Sequence, residues 1–183
     1  MLHSFRSVKG ETKCPFAKKA KIIELRELEN LSDGVKELKN ILPQLSRNGL
    51  DGAILPLPKH TTDTLEEVGF ALFYILNNLD PNCVRNVESK DWRLFLEFDG
   101  VREKYFIACF WDGYSNYSPR KCPEGAFILF QPKSSFVNNG LRGGELEDKL
   151  RQNIRKLFSI VGKPYEKEEL EAERFLPNIK WWE

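Results

Sequence analysis

Apolar residues along the chain alternate between helical and strand spacing. Val35, Leu38, Leu42 and Leu45 fall on one helical face, with Ser32-Asp33 as an N-cap and Pro43 as a kink or stop. That spacing predicts a helix over 33–45. Asp63 as N-cap with Glu66 three residues on predicts a second helix, with Leu65, Val68, Leu72, Ile75 and Leu76 as its apolar face. Asn77-Asn78 and Asp80-Pro81 end it. Leu146, Leu150, Ile154, Leu157 and Val161 define a last helix, acidic early and basic late as the helix dipole prefers. Near the start, Cys14 to Ala20 reads as a short helical turn, with Pro15 tolerated because its missing N–H costs nothing there.

Between these helices lie continuous apolar runs of strand length. Ile22-Ile23-Glu24-Leu25 begins one strand, and Ala53 to Pro58, bounded by prolines, forms a second. Trp92 to Phe98 and Val101 to Trp111 flank Asp99-Gly100, a dipeptide that accepts the positive backbone angles of a tight hairpin turn. From Tyr105 to Trp111 every position is apolar, which predicts burial on both faces at the sheet centre. A polar loop over 112–124 leads to a further strand, Ala126 to Phe130, and the Trp181-Trp182 tail is expected to pack back on the body. The expected class is α+β: a central, mainly antiparallel sheet with a hairpin at 92–111, packed by about three to four helices in a single domain over 1–183.

Composition narrows the function. Hydrophobic residues are 41% of the 183, enough apolar bulk to offset the entropy of ordering the chain, so wholesale disorder is excluded. A formal charge of +1 gives no global field for nucleic acid or an anionic bilayer. A nucleic-acid role would need a local patch, and the cluster Lys13, Lys18, Lys19 and Lys21 is the one candidate. No apolar run approaches the ~20 residues that span a bilayer, and the first residues lack a signal-peptide core, so a cytoplasmic protein is expected.

Cys14, Cys83, Cys109 and Cys122 are scattered, without CxxC or a nearby histidine, which disfavours a structural zinc site and a disulfide framework. With only His3 and His60, three-histidine metal centres and most Ser-His-Asp arrangements fall from the front rank. GxGxxG and GxxxxGK[ST] spacings are both absent, which disfavours nucleotide binding by those modes. The richest stretch is the loop Trp111 to Cys122. It joins Asp112, Tyr114, Tyr117, Arg120 and Lys121 on a segment that follows a strand. Gln131 at a strand end could orient a small molecule or satisfy a backbone group. Arg151 and Arg155 read as a solvated helix face.

The order of four segments is similar to that of the YqcI/YcgG family. They are Lys13-Cys14-Pro15-Phe16-Ala17, then Tyr105-Phe106-Ile107-Ala108 leading into Ser118-Pro119-Arg120-Lys121, then Phe127 to Phe136 with Gln131-Pro132-Lys133, and finally Leu150 to Arg155. The resemblance covers nearly the whole chain. It implies heme b, an electron donor and N-hydroxylation of a guanidine- or amine-bearing small molecule. Cys14 would then be a thiolate ligand to iron, with His60 as runner-up and Tyr114 or Tyr117 as a phenolate alternative. Arg120, Lys121 and Lys133 would pair with the propionates. Asp112 would hold a cationic substrate, and Gln131 a substrate or oxygen. The chain departs from the family in two respects: Trp111 to Glu124 contains no histidine, and Cys14 precedes Pro15 instead of following a proline. The other reading is a non-enzymatic protein that binds a small ligand or a partner on the same fold. In that case Cys14 is a buried thiol at a helix start, His60 a surface residue and the loop a solvated cover for the sheet edge.

Overall fold

The computed structural model describes residues 4–26, 29–80, 94–98, 101–140 and 145–164. The strands are β1 (Ile22–Glu24), β2 (Gly52–Pro56), β3 (Leu94–Phe98), β4 (Val101–Phe110) and β5 (Phe127–Pro132). They form one sheet in the order β1-β2-β5-β4-β3. Only β1 and β2 run parallel; every other pair is antiparallel. The helices are α1 (Ser4–Glu11), α2 (Pro15–Lys19), α3 (Leu31–Ile41), α4 (Leu65–Leu79), α5 (Lys133–Asn138) and α6 (Glu145–Ile160), with short 3-10 turns at Leu42–Gln44 and Lys59–Thr61. The α+β class is therefore as expected, and no described helix is long and apolar enough to cross a membrane.

Strand alternation sorts the core into two layers. On one face Ala53, Leu55, Ile107, Cys109, Ile128 and Phe130 pack with Val35, Leu38, Leu42, Val68, Leu72, Ile75 and Leu76 from α3, its 3-10 extension and α4. On the other, Ile54, Ala108, Phe127 and Leu129 meet Phe5 and Val8 of α1, with Cys122 beside them. Phe110 stacks on Phe127 at 4.6 Å, and Phe5 meets Phe127 edge-on at 6.4 Å. The apolar run from Tyr105 onward is thus sandwiched, because β4 and β5 carry side chains into both layers. The buried Tyr105 hydroxyl donates to the Leu42 carbonyl at 2.8 Å and joins the sheet to the end of α3.

Helix starts differ by small shifts with clear causes. Asn30, not Ser32-Asp33, caps α3: its side chain accepts from the Asp33 N–H at 3.0 Å and donates to the Asp33 carboxylate at 2.9 Å. Thr64 and Glu67, one residue later than Asp63 and Glu66, form a reciprocal capping box at α4. A threonine hydroxyl suits that geometry as well as an aspartate does. Pro43 sits in the 3-10 turn that extends α3. Two helices were not expected. α1 is short and contains Gly10, so it depends on docking Phe5 and Val8 against the sheet. α5 follows directly from β5, and Glu103 accepts from its Ser134 N–H at 3.2 Å. The Asp99-Gly100 turn, Cys83 and the Trp181-Trp182 tail lie outside the described residues.

Candidate functional site

β2 runs antiparallel to β5, which in turn runs antiparallel to β4, so the end of β2, the end of β4 and the start of β5 share one edge of the sheet. Two connections meet there: the turn after β2, which carries His60, and the loop from Trp111 to Cys122. Trp111 joins them. Its indole N–H donates to the Thr62 carbonyl at 2.7 Å, and its ring meets Tyr114 edge-on at 5.5 Å. The indole also lies over Gly113, where a Cβ would sit 2.2 Å from ring atoms, so the position requires glycine.

The loop closes on itself. The Trp111 N–H donates to the Arg120 carbonyl, and the Cys122 N–H donates to the Trp111 carbonyl, each at 3.2 Å. Between them, the Ser118 N–H donates to the Ser115 carbonyl at 2.9 Å and the Arg120 N–H to the Ser118 hydroxyl at 3.2 Å. The Lys121 ammonium donates to the Asp112 carbonyl. This internal bonding carries Tyr114 and Arg120 inward, at 8% and 5% exposure, and leaves Tyr117 outward at 72%.

A guanidinium is rarely this buried, because removing it from water is costly unless anions or polar groups surround it. Its field reaches the Cys109 thiol. Burial pushes that thiol up to about 12, and the Arg120 charge and a backbone hydrogen bond at Phe110 only partly oppose this. Cys122 is raised too, chiefly by burial. Both thiols are therefore protonated near neutral pH and are poor nucleophiles or metal ligands.

Of the residues singled out from the sequence, Asp112, Tyr114, Tyr117, Arg120 and Lys121 share this edge with His60, which is exposed on its 3-10 turn. Cys14 and Gln131 do not. Cys14 is half-buried at the start of α2, its N–H donating to the Thr12 hydroxyl at 3.2 Å, with no side-chain cap to the helix. α2 leads into β1, whose first pair, Ile22 with Gly52, lies at the opposite edge. Gln131 pairs with Phe106, four residues along β5 from Phe127, or roughly 13 Å away at strand rise. It packs against Gly52 on the α1 face. Lys133 is exposed at the start of α5, Arg151 is exposed on α6, and Arg155 is half-buried there.

As a heme site the full set does not fit one group, because the thiolate candidate Cys14, the oxygen-orienting candidate Gln131 and the propionate candidate Lys133, which follows β5, stand away from Asp112, Tyr114, Tyr117, Arg120 and Lys121. Among the described residues, no three of His, Cys, Asp and Glu gather as metal ligands. Sequence reading missed Thr62 and Gly113. The Trp-x-Gly spacing of Trp111 and Gly113 is the trace by which the packing of the indole over the loop backbone could have been found. No protein-family model, curated protein or solved structure matches this chain.

Proposed function

We propose that this protein binds a small, partly aromatic anion at the sheet edge formed by the Trp111–Cys122 loop and the turn carrying His60. The observation behind this reading is the burial of Arg120 in a closed loop beside the Trp111–Tyr114 pair. A guanidinium held in low dielectric recognises carboxylate or phosphate by paired hydrogen bonds, and indole and phenol rings supply flat apolar contact. In its simplest form this is the non-enzymatic ligand-binding reading.

The resemblance in segment order to the YqcI/YcgG family is the support for a second, more specific reading. In it the anion is heme b, the activity is N-hydroxylation of a guanidine or amine, and an electron donor is required. Heme would supply oxygen activation. Of this chain's residues, Arg120 and Lys121 would hold propionates, and Tyr114 or His60 would be the ligand to iron in place of Cys14. Asp112, exposed at the loop start, would attract a cationic substrate.

Titration with metal-free protoporphyrin IX and with hemin separates the two readings. The porphyrin carries the rings and carboxylates without iron. Saturable one-to-one quenching of tryptophan fluorescence by protoporphyrin IX, weakened about tenfold or more in Arg120→Met as loss of a charged pairing implies, is the expected result. A hemin Soret band that shifts in Tyr114→Phe or His60→Ala extends it to heme. Unquenched fluorescence with both probes overturns the site.

A further inference from the structure

The segment 4–21 holds six cations, Arg6, Lys9, Lys13, Lys18, Lys19 and Lys21, against one carboxylate, Glu11, in a chain whose formal charge is only +1. The rest of the protein is therefore net acidic, and positive charge is concentrated on α1, α2 and their ends. The Lys9 ammonium donates to the Ala20 carbonyl at 2.9 Å, which ties the end of α2 to α1 and makes the two helices one surface. Glu11 is paired with Lys163 from beyond α6, so the segment's only carboxylate is already neutralised. Among the described residues, no carboxylate pairs with the side chains of Arg6, Lys13, Lys18, Lys19 or Lys21, and all of these except the half-buried Lys13 are exposed.

We propose that the α1–α2 surface binds the phosphate backbone of duplex nucleic acid without reading its sequence. This goes beyond the sheet-edge site and does not depend on it. Three features select this partner. Clustered, unpaired ammonium groups are what a regular polyanion needs in order to release its counterions. α1 has already spent its apolar residues, Phe5 and Val8, on the sheet, so it offers no face to bury in a lipid headgroup layer. The one aromatic residue of α2, Phe16, is half-buried, so the surface lacks the exposed ring platform on which single-stranded bases stack. With mainly lysines, which meet phosphates as point charges, the contacts position a backbone and do not discriminate bases.

The test is fluorescence anisotropy of a labelled duplex of ~20 base pairs, titrated with the full chain between ~50 and ~200 mM KCl. Dissociation constants in the range of about 10⁻⁴ to 10⁻⁶ M are expected, with log K falling against log salt at a slope of about −4. The double variant Lys18→Gln/Lys19→Gln, both residues exposed, should lower that slope by about 2 while far-UV circular dichroism stays unchanged. A second duplex of unrelated sequence should bind equally. Absence of binding, an unchanged slope in the folded double variant, or binding to phosphatidylglycerol vesicles but not to the duplex would each overturn the proposal.

Discussion

Replacing Gly113 with alanine probes the structure that holds the candidate site together. The new methyl would meet the Trp111 ring at 2.2 Å, well inside contact distance, so the indole must move. Moving it forfeits the 2.7 Å bond to the Thr62 carbonyl, about 1 kcal/mol, and the edge-on contact with Tyr114, about another 1 kcal/mol. Residual overpacking adds about 1 kcal/mol, giving roughly 3 kcal/mol in all. The backbone angle at Gly113 is not of the left-handed kind, so the loss is steric and not conformational. Urea denaturation of wild type and Gly113→Ala gives the energy, and the indole N–H signal assigned to Trp111 by Trp111→Phe reports the lost bond. A destabilisation under ~0.5 kcal/mol with an unshifted indole signal would show that the ring does not lie over Gly113, since a clash cannot be absorbed without moving that ring.

Three further outcomes follow from the described contacts. Asp51 accepts from the Lys21 N–H at 2.8 Å, the Ser135 hydroxyl at 2.7 Å and the Asn139 side chain at 3.2 Å, so Asp51→Ala should cost about 2–3 kcal/mol by thermal or urea unfolding. Thr64→Ala, which breaks the capping box of α4, should cost about 1 kcal/mol in the same assay. Cys109 stays protonated in the native state up to about 12, whereas in the unfolded chain it ionises near 9.0. Between those values the unfolded state binds fewer protons, so stability falls as pH rises, by up to ~1.4 kcal/mol per unit. Cys109→Ala should reduce that slope; what remains comes from Cys122, raised chiefly by burial, and above ~10 also from Tyr105, whose hydroxyl is likewise raised by burial.

Much of the fold was legible because period and burial agree. The all-apolar stretch after Tyr105 announced a central strand, and it lies between β5 and β3 with side chains in both layers. The leucines of α3 and α4 pointed to one packed face and are buried on it. α1 and α5 were not legible, since each is stabilised by contacts distant in sequence: Phe5 on Phe127, and Glu103 on the Ser134 N–H. The site was legible only in part. The loop's chemistry was visible in its composition, but whether Tyr114 and Tyr117 turn inward or outward depends on loop hydrogen bonds that have no periodic signature. The separation of Cys14 and Gln131 from that loop depends on which ends of the strands coincide, which follows from sheet order and not from spacing.

The most direct test of the sheet-edge site is a map of backbone and indole N–H signals as protoporphyrin IX is added to the ¹⁵N-labelled protein. With the ligand bound there, the shifts concentrate at Trp111, Tyr114, Arg120 and the turn around His60, while Cys14 and Gln131 stay still. Shifts centred on Cys14 or Gln131, with the Trp111 indole unmoved, would contradict it.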